Sequence, residues 1–388
     1  MTTEVKNFNS SMPGAPVLNG TAGALAALLD ACLVNGFGLQ TVSSLVVSGG
    51  VATATVPATP AAQVGAVIVV SGATPAGLNG EQRVTAIGAN SVSFATAEAD
   101  GSATGTITLK LSPLGWLKPY AGTNKAAYKP AAPEASGCLL RVDDTGTTTA
   151  RVRGFESMSD VDTGLGLFPT DALMSGGAYW PKSSTADATA RPWWLIGDAR
   201  GFWLYTAPGA SAPTQGVVFG FGDIASHKSG DAYGCVLLGG ASGVQAATSR
   251  IEGCAGHGRE ATRYAWLARS WTGIGGAVAA KKIGALNTGA GYSGEAAYNG
   301  DALNYPNGPD NGLTVTPISL AESTALRGTL PGLLHCPLQA ASAFQTGDVV
   351  DGTGTYAGRK LRALRVGTTG NTSASGVLFV DQTGPWRN

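Results

Sequence analysis

The chain has 388 residues, of which 57 are glycine and only 13% are charged, and its 25 basic and 25 acidic residues cancel to a formal charge of zero. With no basic stripe to neutralise phosphates and no apolar run of about 18 residues, it fits neither a duplex nucleic-acid binder nor a chain with a membrane-spanning helix. Five cysteines, Cys32, Cys138, Cys235, Cys254 and Cys336, are an odd number scattered over a long chain and read as buried thiols, not as a disulfide framework.

A free monomer needs surface charge to stay soluble and unassociated, so this weakly charged exterior predicts surfaces covered by partners. Residues 1–18 contain Met12-Pro13-Gly14-Ala15-Pro16, too rich in proline and glycine for regular structure, and read as an arm that lies on a neighbour. Met1 to Ser11 lacks the basic region, apolar core and cleavage site of a secretory signal, which predicts assembly in a cytoplasm. From Thr21 the pattern turns helical. Leu25, Leu28, Leu29, Cys32 and Leu33 fall on one face, with Asn19 or Thr21 as N-cap and Gly36 just past the end. That stripe predicts packing on the large β-domain.

Between Thr41 and Leu111 the composition shifts to Val, Thr, Ala, Ser and Gly. Strands are predicted at Ser44–Val47, Val51–Val56, Ala66–Val70, Gln82–Ile87, Ser91–Ala95 and Thr104–Leu111, with turns at Ser48-Gly49-Gly50, Asn79-Gly80, Ala89-Asn90 and Asp100-Gly101. From about Pro113 onward the chain carries all eight tryptophans. Trp193–Ile196 and Phe202–Tyr205 predict a hairpin. Leu139–Val142, Gly216–Phe221, Tyr233–Leu238, Lys360–Val366 and Gly376–Val380 are further strands, apolar enough to be covered on both faces. Gly273 to Gly312 reads as a long glycine-rich stretch that is a binding segment or is held by a neighbouring subunit. The expectation is an all-β fold: an N-terminal arm and helix over residues 1–40, a small β-sandwich or barrel module at 41–112 inserted in a larger aromatic-rich β-domain at 113–388.

Chemical motifs are scarce. Gly289-Ala290-Gly291-Tyr292-Ser293-Gly294 matches G-x-G-x-x-G, but neither the flanking strand and helix nor the acid of a dinucleotide site follows, so no cofactor is expected. Cys254 with His257, and His335 with Cys336, fall short of a converging tetrahedral zinc set, and no metal is expected. Asp143, Asp144, Glu156, Asp160 and Asp162 form an acidic neighbourhood for which turn-forming aspartates are the ordinary explanation, with a pair of catalytic carboxylates the alternative. The three histidines leave few general bases, so no enzyme is expected. Lys281-Lys282 and Arg359, Lys360, Arg362 and Arg365 read as solvated faces. Trp180, Trp193, Trp194 and Trp203 are the candidate glycan or partner surface, in competition with plain core packing. Strand alternation sends Trp193 and Trp194 to opposite sides.

Several phrases carry a family resemblance. Val67 to Gly80, followed by Arg83-Val84-Thr85-Ala86-Ile87, resembles small β-modules of tailed-bacteriophage virion proteins. Tyr356 to Leu364, closing on Asp381-Gln382-Thr383-Gly384-Pro385-Trp386-Arg387, looks like the same class, tail or baseplate components, and Arg141 to Gly146 and Phe155 to Thr163 are similar in style. The resemblance implies a structural part of the virion, at the tail tip or baseplate, that contacts other virion proteins and copies of itself. No catalytic residue travels with it. The rivals are a capsid-surface decoration protein, an adhesin for a host receptor or surface glycan, and a wall-degrading enzyme using the acidic cluster.

Overall fold

A computed structural model describes residues 3–209, 216–240, 265–283, 304–338, 340, 342–367 and 375–387. The fold is all-β with one short helix. Its strands form three main antiparallel sheets of thirteen, eight and five strands.

All eight strands of the second sheet come from residues 40–111. The predicted hairpin at Ser48 closes as Ser48 opposite Val51, with Gly49 and Gly50 at φ 58° and 76°, the double left-handed turn that glycine alone adopts without strain. Along Ser44–Ser48 burial alternates, placing Leu45 and Val47 in the core and Val46 outside.

The five-stranded sheet runs Trp116–Gly122, Lys125–Pro130, Leu139–Asp143, Thr149–Phe155 and Ala178–Pro181. It faces the thirteen-stranded sheet across an aromatic layer. Trp116 meets Phe202 edge-on at 5.4 Å, Trp180 meets Phe219 at 4.8 Å, and Phe168 stacks on Phe221 at 6.0 Å. Gly154 makes room for one of these rings, because a Cβ there would lie 2.2 Å from the Phe168 ring. Gly154→Ala is therefore expected to lose about 2 kcal/mol, read as a lower urea midpoint.

The thirteen-stranded sheet contains the predicted hairpin, with Trp193–Gly197 paired to Gly201–Thr206. Asp198 closes it by accepting the N–H groups of Arg200 and Gly201, both at 2.8 Å. The sheet curls until Gly216 bridges Val366 in parallel.

The N-terminal segment departs from the expectation of an irregular arm on a neighbour. Lys6–Asn9 is a strand on the free edge of Trp193–Gly197, and Val5, Phe8, Met12 and Leu18 are buried in this chain's own core. Its polar side chains keep partners as they pack: Asn7 donates to the Gly65 carbonyl and Asn9 to the Gln63 side chain. An exposed sheet edge is thereby covered.

The helix forms over Ala24–Leu29 and continues as a π-helical turn over Asp30–Asn35, with the predicted Leu25, Leu28, Leu29, Cys32 and Leu33 all buried. Gly36 ends it at φ 69°. The cap differs from the local one expected. Gly23 occupies the N-cap, and the Asp144 carboxylate, 119 residues away from Leu25, accepts the Leu25 and Ala26 N–H groups at 2.7 and 3.1 Å. Asn19 instead accepts from Thr21, one turn earlier.

The basic clusters match the expected solvated faces only in part, with Lys281 and Lys360 exposed. Lys282 is buried, and so is Arg362, which donates to Gln382 at 3.0 Å and to the Gly347 carbonyl at 2.6 Å. Burial pulls the Arg362 guanidinium down to about 10.

Candidate functional site

A cavity of about 920 Å³ opens where the Glu134–Ser136 loop, the turn after Val217–Asp223, the strand Ala325–His335 and the C-terminal segment meet. Its wall is built from ion pairs. The Asp223 carboxylate accepts from the Ser136 N–H and hydroxyl at 3.0 and 2.6 Å and from Arg200 at 3.1 and 2.9 Å. Arg387 donates to the Asp198 carboxylate and the Asp223 carbonyl, and burial lowers its pKa from the usual arginine range.

The phrase Asp381 to Arg387 forms the opposite wall. Asp381 accepts from Arg359 at 2.8 Å and from the Thr383 and Gly384 N–H groups at 2.8 and 3.2 Å, while its carbonyl accepts the Trp386 indole N–H at 2.7 Å. That indole lies on Gly332, at φ 68°, where any Cβ would collide with the ring. Tyr356 completes this side, and burial pushes its hydroxyl pKa up. The cavity is polar, aromatic in part, and matched in charge. It is equipped to hold a polar surface or ligand, and the carboxylates Asp223 and Asp381 are already occupied by arginines.

The tryptophans expected at a recognition surface are placed elsewhere. Trp180, Trp193 and Trp203 are at most 4% exposed, and their indole N–H groups donate inward to the carbonyls of Leu238, Pro16 and Pro331 at 2.7, 3.0 and 2.7 Å. A ring enclosed on both faces cannot stack a sugar, so this expectation is corrected. Trp194 alone is half-buried, edge-on to Tyr205 at 5.7 Å, on the side opposite Trp193 as alternation requires. Trp180→Ala is expected to destabilise by about 3–5 kcal/mol, measured by denaturant unfolding. A binding platform would instead leave stability intact and lose a ligand.

The acidic neighbourhood does not converge on a cleft. Asp144 is fully buried beneath the helix, paired with Lys182, and burial outweighs that cation to push its carboxyl above the usual range. Asp143 pairs with Arg141 at 3.2 Å, and Asp162 with Lys125 at 3.1 Å. Asp160 accepts the Asp162 and Thr163 N–H groups in a tight turn. Glu156 makes a two-pronged bridge with Arg269 at 2.5 and 2.7 Å.

Cys254, His257 and the Gly289 to Gly294 string lie outside the described residues, as does the middle half of the glycine-rich segment, residues 284–303. His335 and Cys336 are both buried, Cys336 in a small satellite core with Phe344 and Phe379. His227 stands exposed at the cavity rim. Among the described residues no helix is long and apolar enough to cross a membrane. No family model matches the chain, and no curated protein matches it.

Proposed function

We propose that the chain is a structural component of a tailed-bacteriophage particle, at the tail tip or baseplate, that works by subunit contact and breaks no bonds. One observation carries the reading: large apolar side chains stand in solvent on turns and strand ends that are internally braced. Leu165 is 74% exposed, Ile274 79%, Leu326 60% and Trp271 50%. Their backbones belong to one network. Glu156, which receives the Arg269 bridge, donates its N–H to the Leu165 carbonyl at 3.0 Å. Trp271 donates its N–H to Glu322 at 2.9 Å, and Arg327 joins Glu322 to the Arg269 carbonyl. Rigid, exposed apolar groups on a weakly charged protein favour association with other subunits, including copies of itself.

The test pairs mass photometry of the purified chain with electron microscopy of the particle that contains it. The expected result is a multimer and density for this fold at the tail tip. Density on the capsid surface would favour the decoration reading. A stable monomer absent from purified particles would overturn both. An adhesin for a host surface glycan is the second reading, favoured by the polar, Trp386-lined cavity in place of the buried tryptophans.

A further inference from the structure

Two of the scattered cysteines meet in space. Cys138 immediately precedes the strand Leu139–Asp143 of the five-stranded sheet, and Cys235 opens the strand Cys235–Leu238 of the thirteen-stranded sheet. One carboxylate organises both. Cys235 is the cross-strand partner of Asp223, and Asp223 holds the Ser136 hydroxyl and N–H. The Ser136 hydroxyl oxygen in turn accepts the Cys138 N–H at 3.5 Å. This arrangement sets the Cys138 thiol and the Ser136 hydroxyl beside Cys235, where the first raises and the second lowers the pKa of its thiol. Both cysteines are free thiols and at most 2% exposed. Their neighbours Ser136, Asp223 and Gly234 line the cavity, which gives a small reagent an approach from that side.

We propose that Cys138 and Cys235 are a paired modification site, oxidised by a low-molecular-weight disulfide to a protein disulfide that ties the two facing sheets together. The step balances within the named reagents. One cysteine thiolate attacks a sulfur of the reagent disulfide, forming a mixed disulfide and expelling one reagent thiolate. The second cysteine thiolate attacks the protein sulfur of that mixed disulfide and expels the other. The two protein thiols lose two electrons and two protons, and the reagent is reduced to two thiols. A reducing cytoplasm keeps the pair open, and an oxidising medium closes it. The proposal does not depend on the particle reading.

Burial, reinforced by the adjacent Cys138 thiol, pushes the Cys235 thiol well above the ordinary cysteine range. Thiolate is therefore scarce at neutral pH, and the oxidation rate is expected to rise by about tenfold per pH unit over pH 7 to 9.

The experiment uses the full chain, purified reduced and incubated with hydroxyethyl disulfide at about pH 8.5. Remaining thiols are then alkylated under denaturing conditions and the digest is mapped by mass spectrometry. The expected product is a linked peptide pair joining Cys138 to Cys235, two hydrogens lighter than its parts, together with a rise in Tm of roughly 5 °C. In Cys138→Ser the link and the Tm rise are expected to disappear. Recovery of both cysteines fully alkylated overturns the proposal, and so does either one joined to a different cysteine.

Discussion

Replacing Lys182 by methionine is expected to destabilise the chain by about 3–5 kcal/mol. Lys182 and Asp144 form an ion pair with both side chains fully shielded from solvent. The same lysine donates to the Thr21 carbonyl at 2.6 Å, and the Asp144 carbonyl accepts the Gly23 N–H at 2.9 Å. One buried knot thus fixes the start of the helix, the turn after Leu139–Asp143 and the chain leaving Ala178–Pro181. Methionine fills the space of the lysine stem but leaves the Asp144 carboxylate with only two backbone N–H donors, Leu25 and Ala26.

The pH dependence follows from the direction of the Asp144 shift. Burial already raises its pKa in the folded chain, so the folded state binds its proton more tightly than the unfolded chain does. Ionisation then weighs against folding as pH rises through the folded pKa. Loss of Lys182 raises that pKa further, and the deficit of Lys182→Met is expected to be larger at pH 8 than at pH 5. Adding Asp144→Asn removes the buried charge while keeping an oxygen for the two N–H groups. The double variant is expected to regain about 2 kcal/mol over Lys182→Met. Urea midpoints at both pH values decide the matter, and a double variant no more stable than the single one would assign the loss to packing.

The ease with which elements can be read from the sequence follows how local their cues are. Trp193–Gly197 and Gly201–Thr206 announce themselves as apolar runs around a polar turn, and Gly49-Gly50 fixes a hairpin within four residues. Trp116–Gly122 was hidden by Pro119. The strand accommodates that proline with a shift in register between Leu117 and Tyr120. Ala325–His335 contains Gly328, Pro331 and Gly332, which count against a strand locally, yet each has a tertiary use. The Pro331 carbonyl receives the Trp203 indole, and the bare Gly332 backbone seats Trp386. Lys6–Asn9 shows only four residues of weak pattern, and the edge it covers lies almost two hundred positions away.

The candidate site was less visible for the same reason. Ser136, Asp223 and Asp381 meet around the cavity from three distant segments, and no spacing rule connects them. The sequence offers Asn19 or Thr21 as the helix cap, and Asp144 from a distant turn supplies it. Composition announced the tryptophans, but only burial could say that three of the four candidates are structural.

Arg327→Met is expected to match Lys182→Met in size, about 3–5 kcal/mol at neutral pH, and to behave oppositely to a surface ion pair. Arg327 is 1% exposed, forks onto both oxygens of Asp231 at 2.8 Å, and donates to Glu322 at 2.8 Å and to the Arg269 carbonyl at 3.3 Å. Burial by itself raises the Asp231 pKa, but bonds from Arg327 and Ser226 overcome it and hold the carboxyl below the usual range. A carboxyl with a depressed folded pKa stabilises the native state above its unfolded pKa of about 4, and that contribution fades as pH falls through the folded value. Methionine removes the cation and leaves Asp231 as a buried carboxyl whose pKa rises, beside a Glu322 that has lost its partner. In acid Asp231 becomes neutral and the variant sheds that unpaired charge, just as the wild-type chain loses the benefit of the bridge. The gap between the two proteins is therefore expected to be widest near pH 7 and to narrow by half or more at about pH 4. Denaturation curves at the two pH values test this. A gap that stays constant would mean that Arg327 stabilises the hairpin through its packed stem, and that the braced segments carrying Trp271 and Leu326 do not depend on its charge.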